Sequence, residues 1–405
     1  MSLLAKLVCL AVGAFAIGTE SYVVAGLLPD LATDLHVSVA MAGQLITVFA
    51  LAYALGSPVS AVLTASIDRR RLLLGSIAAF ALFNVVAACA HTYIALMLAR
   101  VGLALTAGTF MPAASAYAVA VAPLERRGRA LAIIYTGLTV ATVIGVPLGV
   151  LAGEHFGWRF TFVGVAGLSL LALVGMIFAL APVTQDATVS LRERIAIARR
   201  PDILGALVLT VLVLTGAFSV YTYLAPYLQE IAGLSGNTVA GVLFLFGLGS
   251  AIGNLASGVA SDRIGADRVI AIVLSALVLL FVALALAGFL LPVTIARWVV
   301  IPVVALWGVV GWSFPSAQQT RIVAMEPRLA PITLSLNASA IYVGVALGAF
   351  LGSIAVGRHA IPHLGLLGAA CEVVGLGAFA WTTRRRRVRS GEAASVCVAA
   401  SEVAA

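Results

Sequence analysis

Twelve apolar runs, each long enough to cross a bilayer, leave this chain almost no choice of fold. A spanning helix needs roughly 20 mainly apolar residues. Runs of that kind fall at about 7–28, 40–65, 72–90, 93–120, 130–152, 160–181, 203–228, 238–260, 269–290, 296–318, 331–356 and 364–382. Helices and closed barrels are the structures that satisfy their own backbone hydrogen bonds in lipid, and these runs exceed the ~10 residues of a barrel strand. The fold expected is therefore all-α and integral to the membrane. Composition agrees: 62% of the 405 residues are hydrophobic and 10% charged, where a soluble domain carries about a quarter charged residues.

The basic residues set the orientation. Twenty of the 24 lie in one set of alternate loops and ends: Lys6, Arg69 to Arg71, Arg126, Arg127, Arg129, Arg192, Arg194, Arg199, Arg200, Arg263, Arg268, Arg321, Arg328, Arg384 to Arg387 and Arg389. The other set holds Arg159, Arg297 and Arg358, and Arg100 falls inside a run. Positive residues stay on the cytoplasmic side, so both termini are expected there, in a bacterial inner membrane. The net charge of +8 is thus a mark of topology and does not point to nucleic acid. The apolar run after Lys6 mimics a secretory leader, but it contains Glu20 and continues to Pro29, which reads as a first span.

The longest internal polar stretch, 183–202, divides the spans six and six. Four segments result: a bundle at 1–182, a cytoplasmic linker at 183–202, a bundle at 203–383 and a basic, disordered cytoplasmic tail expected at 384–405. Within the linker, Val189, Leu191, Ile195 and Ile197 alternate with arginines. That suits either an amphipathic surface helix or a solvated connector. The two bundles repeat each other at an offset of 197 to 201: Pro29 with Pro226, Gly56 with Gly253, Arg71 with Arg268, Glu125 with Glu326, and Gly145, Gly149 and Gly153 with Gly344, Gly348 and Gly352. Parallel repeats of six spans are a transporter architecture. Glycines at every fourth position let another backbone approach closely, which predicts that spans five and eleven pack across the interface between the halves.

Several chemistries are excluded. A phosphate-cradling loop needs Gly-Lys before Ser or Thr, and the only lysine, Lys6, follows Ala5. ATP therefore does not drive this chain directly. No cofactor or metal is implied: the cysteines form no CxxC pair, and Pro362 lies between His359 and His363. Three charges lie deep in spans: Glu20, Arg100 and Glu372. Each costs at least roughly 2.5–3.5 kcal/mol to insert, so each needs a reason to be there. For Glu372, in the last span, the expected role is structural or at the lipid edge.

Four motifs carry a family resemblance. Gly18-Thr19-Glu20-Ser21-Tyr22-Val23-Val24-Ala25-Gly26-Leu27-Leu28-Pro29-Asp30 lies in the first span. Gly258-x₃-Asp262-Arg263-x-Gly265 follows span eight, and its first-half counterpart keeps Arg69, Arg70 and Arg71 but has Ala61, Ala65 and Asp68 before them. Leu96-x₃-Arg100-x₃-Ala104 lies in span four, and Gly137-x₇-Gly145-Val146-Pro147-Leu148-Gly149 in span five. Together these resemble the major facilitator superfamily, in its twelve-span drug:proton antiporter branch. In pattern they are similar to the arabinose-efflux and chloramphenicol-resistance permeases.

The resemblance implies two pseudo-symmetric six-helix bundles and a monomer that exchanges protons for a small-molecule substrate. The Asp262 and Arg69–Arg71 loops would latch the outward-facing state, and Gly145, Pro147 and Gly149 would mark an exporter. The substrate cavity would lie between spans one, four, seven and ten. Candidates to line it are Phe110, Met111, Tyr221, Tyr223, Trp307, Trp312 and Gln318, an aromatic set suited to an amphiphilic drug or metabolite. Glu20 is the candidate proton carrier. Arg100, which cannot lose its charge, is its candidate partner, with a structural role open for both. A carrier for a sugar, nucleoside or amino-acid derivative is the second reading. A third, an intramembrane enzyme or sensor, requires clustered nucleophile pairs that the spans do not contain.

Overall fold

A computed structural model describes residues 2–64, 66–123, 126–183 and 191–403. Linker residues 184–190, with Gln185, Asp186 and Val189, lie outside the described residues, as do Ala65 and Glu125. Among the described residues, twelve helices are long and apolar enough to span a membrane: Leu3–Asp34, Val39–Leu63, Arg69–Ala88, Tyr93–Val121, Arg127–Phe156, Trp158–Ala179, Pro201–Tyr221, Asn237–Ile264, Ala266–Leu290, Val293–Met325, Ile332–Gly357 and His363–Arg384. They are called spans one to twelve.

Local chemistry sets their ends. Ser2, Ser38, Asp68 and Thr92 precede spans one to four, and each side chain accepts a hydrogen bond from the backbone N–H three residues on. Such caps occupy donors that a helix start otherwise leaves free. Gly265 is the whole connection between spans eight and nine. Its φ of 88° is one that side-chain-bearing residues avoid, which explains the glycine that closes the Gly258–Gly265 motif.

Two spans are not the continuous helices that their hydropathy predicts. Span five changes to π-helix over Ala141–Gly145, where the Val146 N–H reaches back to the Ala141 carbonyl. Pro147 follows, and its missing N–H and ring disfavour a regular turn there. Span seven stops at Tyr221, and a separate helix runs Leu224–Ala232. Pro226 supplies no N–H to the Thr222 carbonyl four residues back, so the helix breaks where that bond would form.

The halves repeat at the level of packing. In the first, span two packs on four, three on four and six, and one on five and six; in the second, eight packs on ten, nine on ten and twelve, and seven on eleven and twelve. The repeated glycines do not, however, join the halves. Gly145, Gly149 and Gly153 face Thr19, Val23 and Leu27 of span one, and Gly344, Gly348 and Gly352 face the backbone of span seven near Val211, Thr215 and Ser219. Each glycine stripe therefore serves the closest crossing inside its own half. The halves meet instead where span five crosses eight and span two crosses eleven. At the first crossing Gly247 abuts the Thr142 carbonyl and Thr142 shares a hydrogen bond of 3.2 Å with Ser250.

In the linker, Leu191–Ala198 is helical and docks against spans two and eleven. Arg194 donates to Ser335 Oγ at 3.0 Å, and Arg200 pairs with Glu326 at 2.8 Å. The helix that begins at His363 continues along the backbone to Val403, through a run that contains the helix formers Arg, Ala and Glu.

Candidate functional site

Two adjoining features form the centre of the molecule. The first is an ion pair inside the first half. Glu20 of span one and Arg100 of span four have no solvent exposure, and Arg100 Nη1 donates directly to Glu20 Oε1. Arg100 Nε also reaches the Leu45 carbonyl at 3.3 Å, and its guanidinium lies 4.2 Å from the centre of the Phe49 ring. Among the described residues, Glu20 Oε2 and Arg100 Nη2 have no hydrogen-bond partner. A buried pair is held by its mutual attraction against a large desolvation cost. Part of each group's bonding capacity is unused here, so a proton or another polar group could compete for it.

The second feature is an aromatic cavity lined by the second half, on the side that meets span one. Tyr221 and Phe218 of span seven, Phe246 of span eight and Trp307 and Trp312 of span ten line it, with Leu277 of span nine behind them. Its free space is about 40 Å³, room for a water molecule but not for an organic substrate. The rings pack on one another: Phe246 and Trp307 centroids are 5.0 Å apart, Tyr221 and Phe246 5.2 Å. Tyr22 of span one closes the set from the other half, 5.9 Å from Trp312 and 6.3 Å from Tyr221. Tyr22 is two residues from Glu20, which places it on nearly the opposite face of the helix. One turn of span one therefore holds the ion pair on one side and meets the cavity on the other.

A third contact ties the pair's pocket to the opposite half. Tyr342 of span eleven stacks on Tyr53 of span two, with centroids 3.6 Å apart, and lies 6.5 Å from Phe49, the ring under Arg100. A residue of the second half thus rests against the pocket that holds the pair.

The expected cavity residues divide. Tyr221, Trp307 and Trp312 line the cavity. Phe110 does not: it is fully buried against Gly13 inside the first half, because a glycine there admits the ring. Met111, buried one residue on, is not among the lining residues either. Tyr223, at the break in span seven, fills the space beside Gly43 and Gly352 and donates to the Ala349 carbonyl at 2.9 Å. Gln318 is spent on a structural network: its Nε2 bonds the Ala206 carbonyl at 2.8 Å and Thr210 Oγ1 at 3.1 Å, and Thr210 donates to Asn337. Tyr22, Phe218, Phe246, Tyr53 and Tyr342 belong to the site although sequence reasoning misses them. The signal available for them is aromatic type at mid-span, which packing residues share.

The conformation is readable from the contacts between halves. On the side of the loop between spans one and two, Gln44 Nε2 donates to Ser353 Oγ at 2.7 Å, Tyr223 fills the gap at Gly43, and Glu154 adjoins Gly236. The halves are pressed together from mid-depth to that side.

Comparison with known proteins decides the family. The Major Facilitator Superfamily model matches residues 10–349. The chain belongs to the major facilitator superfamily. It is 33% identical over 364 residues to YbcL, an MFS-type transporter of Bacillus subtilis, covering 90% of this chain and 92% of the relative. It is 33% identical over 372 residues to the inner membrane transport protein YdhP of Escherichia coli K12, covering 91% and 94%. Among solved structures, a D-xylose–proton symporter superposes with a TM-score of 0.77 at 12% identity, over 94% of this chain and 97% of that one.

The loop motifs of this superfamily member hold different partners in the two halves. In the second half the acid that pairs is Asp267, at the start of span nine, whose carboxylate meets Arg321 of span ten at 2.9 Å. Asp262 and Arg263, the motif residues expected to latch, are exposed at the end of span eight, and Gly258 has open space beside it. In the first half, Asp68 accepts from the Val183 N–H at 2.9 Å and Arg70 donates to the Ile177 carbonyl at 2.9 Å. Arg69 donates its backbone N–H to the Val183 carbonyl at 3.2 Å, and Arg71 is exposed. That loop is thus tied to the end of span six.

Proposed function

We propose that this chain exports small amphiphilic molecules, drugs or metabolites, in exchange for protons, by alternating access across a bacterial inner membrane. The observation that carries the reading is the Glu20–Arg100 pair, buried back to back with Tyr22 and the aromatic cavity. Ionisable groups at such depth mark ion paths far more often than they serve packing. A proton arriving at Glu20 would weaken its hold on Arg100, and the pocket around the pair is closed by Tyr342 of the opposite half. Protonation and the relative position of the halves then act on the same contacts. With both termini in the cytoplasm, the sealed side is the outer one, and the conformation faces inward. The halves 1–182 and 203–383 would rock about the crossings of spans five and eight and of two and eleven. The work available is about 2.3 kcal/mol per charge per 100 mV.

The cavity lining favours an amphiphile over a sugar or nucleoside. Its walls are rings and aliphatic chains, with few groups able to replace the hydrogen bonds a sugar makes with water. In proteoliposomes with an imposed pH gradient, Glu20→Gln should still bind an amphiphilic fluorescent dye but lose its uphill transport. Gradient-driven transport at the wild-type rate would reject the antiport mechanism.

A further inference from the structure

Glu372 is not at the lipid edge that its place in span twelve suggests. It is fully buried and faces span seven at Gly216, where an added methyl would come within 2.9 Å of Glu372 Oε1. Among the described residues, neither carboxyl oxygen has a hydrogen-bond partner. An isolated carboxylate in such surroundings is costly, and a carboxylic acid much less so.

The helices packed on span twelve bring no charge to the depth of Glu372; the guanidinium of Arg321, on span ten, meets span twelve farther along, at Phe379 and Thr382. Span twelve packs on seven and nine and touches eleven. Residues 203–221, 269–290 and 332–357 of those spans contain no Asp, Glu, Lys, Arg or His. Their titratable groups are Tyr221, which lines the cavity, and Tyr342, which stacks on Tyr53; on span twelve itself Cys371 adjoins. Asp202, Asp267, Arg268, His363 and Arg384 lie at the helix ends; on span twelve itself His363 and Arg384 are about 14 and 18 Å along the axis from Glu372, at 1.5 Å per residue.

Two relations give this acid a place in the machine. The repeat offset of 197 sets Gly216 opposite Thr19, the neighbour of Glu20, so each half buries one carboxyl at the same depth. Span seven lies between Glu372 and the cavity: Leu214, Ala217, Phe218 and Tyr221 face the cavity while Gly216 faces the acid. A shift of span seven that admits a substrate must also change the surroundings of Glu372.

The geometry points to Glu372 as a second proton-binding site, seated in the second half and exchanging its proton as span seven moves. The carboxylate takes one proton from one side and, after the halves rock, releases it to the other; no bond other than O–H changes. This inference rests on the antiport reading for its role in transport but not for the protonation itself.

Infrared pH titration of the full chain in liposomes separates the two. Wild type and Glu20→Gln should both show a protonated-carboxyl C=O band that disappears reversibly as pH rises, and Glu372→Gln should lose that band. If Glu372→Gln does not fold, Glu372→Asp should shift the band. A band at position 372 that is absent, or that persists unchanged to pH of about 10, overturns the proposal. Failure of the antiport reading shows separately, as undiminished gradient-driven dye transport by Glu20→Gln.

Discussion

Gly348→Ala tests whether the crossing of spans seven and eleven is a backbone-to-backbone contact. A methyl at 348 would lie 2.6 Å from the Thr215 carbonyl oxygen, 2.8 Å from the Ser219 nitrogen and 3.0 Å from the Phe218 carbonyl carbon. All three are backbone atoms, so no rotamer change relieves the overlap, and the helices must part by most of an ångström. Overpacking of this kind costs about 1–3 kcal/mol, and the better helix propensity of alanine returns about 0.5–1 kcal/mol. A net loss of about 1–2 kcal/mol follows. Gly153→Ala in span five is the control. Its methyl meets the Leu27 Cδ2 atom, the far end of a flexible side chain, so the loss should stay within about 0.5 kcal/mol. Combining Gly344→Ala, Gly348→Ala and Gly352→Ala should cost less than three times the single change, because the helices are already parted after the first. Denaturant titration in mixed micelles measures all of these. Equal losses for Gly348→Ala and Gly153→Ala, or strict additivity of the three, would refute the reasoning.

Other perturbations follow from the same contacts. Arg100→Leu strands Glu20 and should cost about 3–5 kcal/mol, most of it recovered when Glu20→Leu is added; a double variant as unstable as the single one would argue against the pair. Trp307→Phe keeps the cavity wall but shrinks it, and should weaken binding of a planar aromatic dye two- to tenfold, about 0.5–1.5 kcal/mol, as read by fluorescence titration. In a background without native cysteines, Gln44→Cys with Ser353→Cys should be joined by a short reversible thiol crosslinker and lose transport until reduced. Full transport while crosslinked would show that this seam does not open.

The spans are legible in the sequence because burial in lipid demands long apolar runs, and the repeat because each half solves the same packing problem. Glu20 and Arg100 are legible as charges where charges are costly. The aromatic partners are not: Phe110 and Phe218 are the same residue type, yet only Phe218 lines the cavity, and which face of a helix meets the pathway depends on how helices rotate in the bundle. The same limit hides the partner of Gly145 and Gly149, whose spacing announces a close crossing without naming the helix across from it. Glu372 escapes for a related reason. A position on an outlying span does not fix the direction in which its side chain points.

The interruption at Thr222–Tyr223 has a mechanical consequence. Because Pro226 offers the Thr222 carbonyl no N–H, bending there sacrifices one helical bond fewer than it would in an unbroken helix. Under the alternating-access proposal, the stub Leu224–Ala232, packed on spans one and ten, would tilt like a door on a fixed jamb while the rod Pro201–Tyr221 keeps its hold on span eleven.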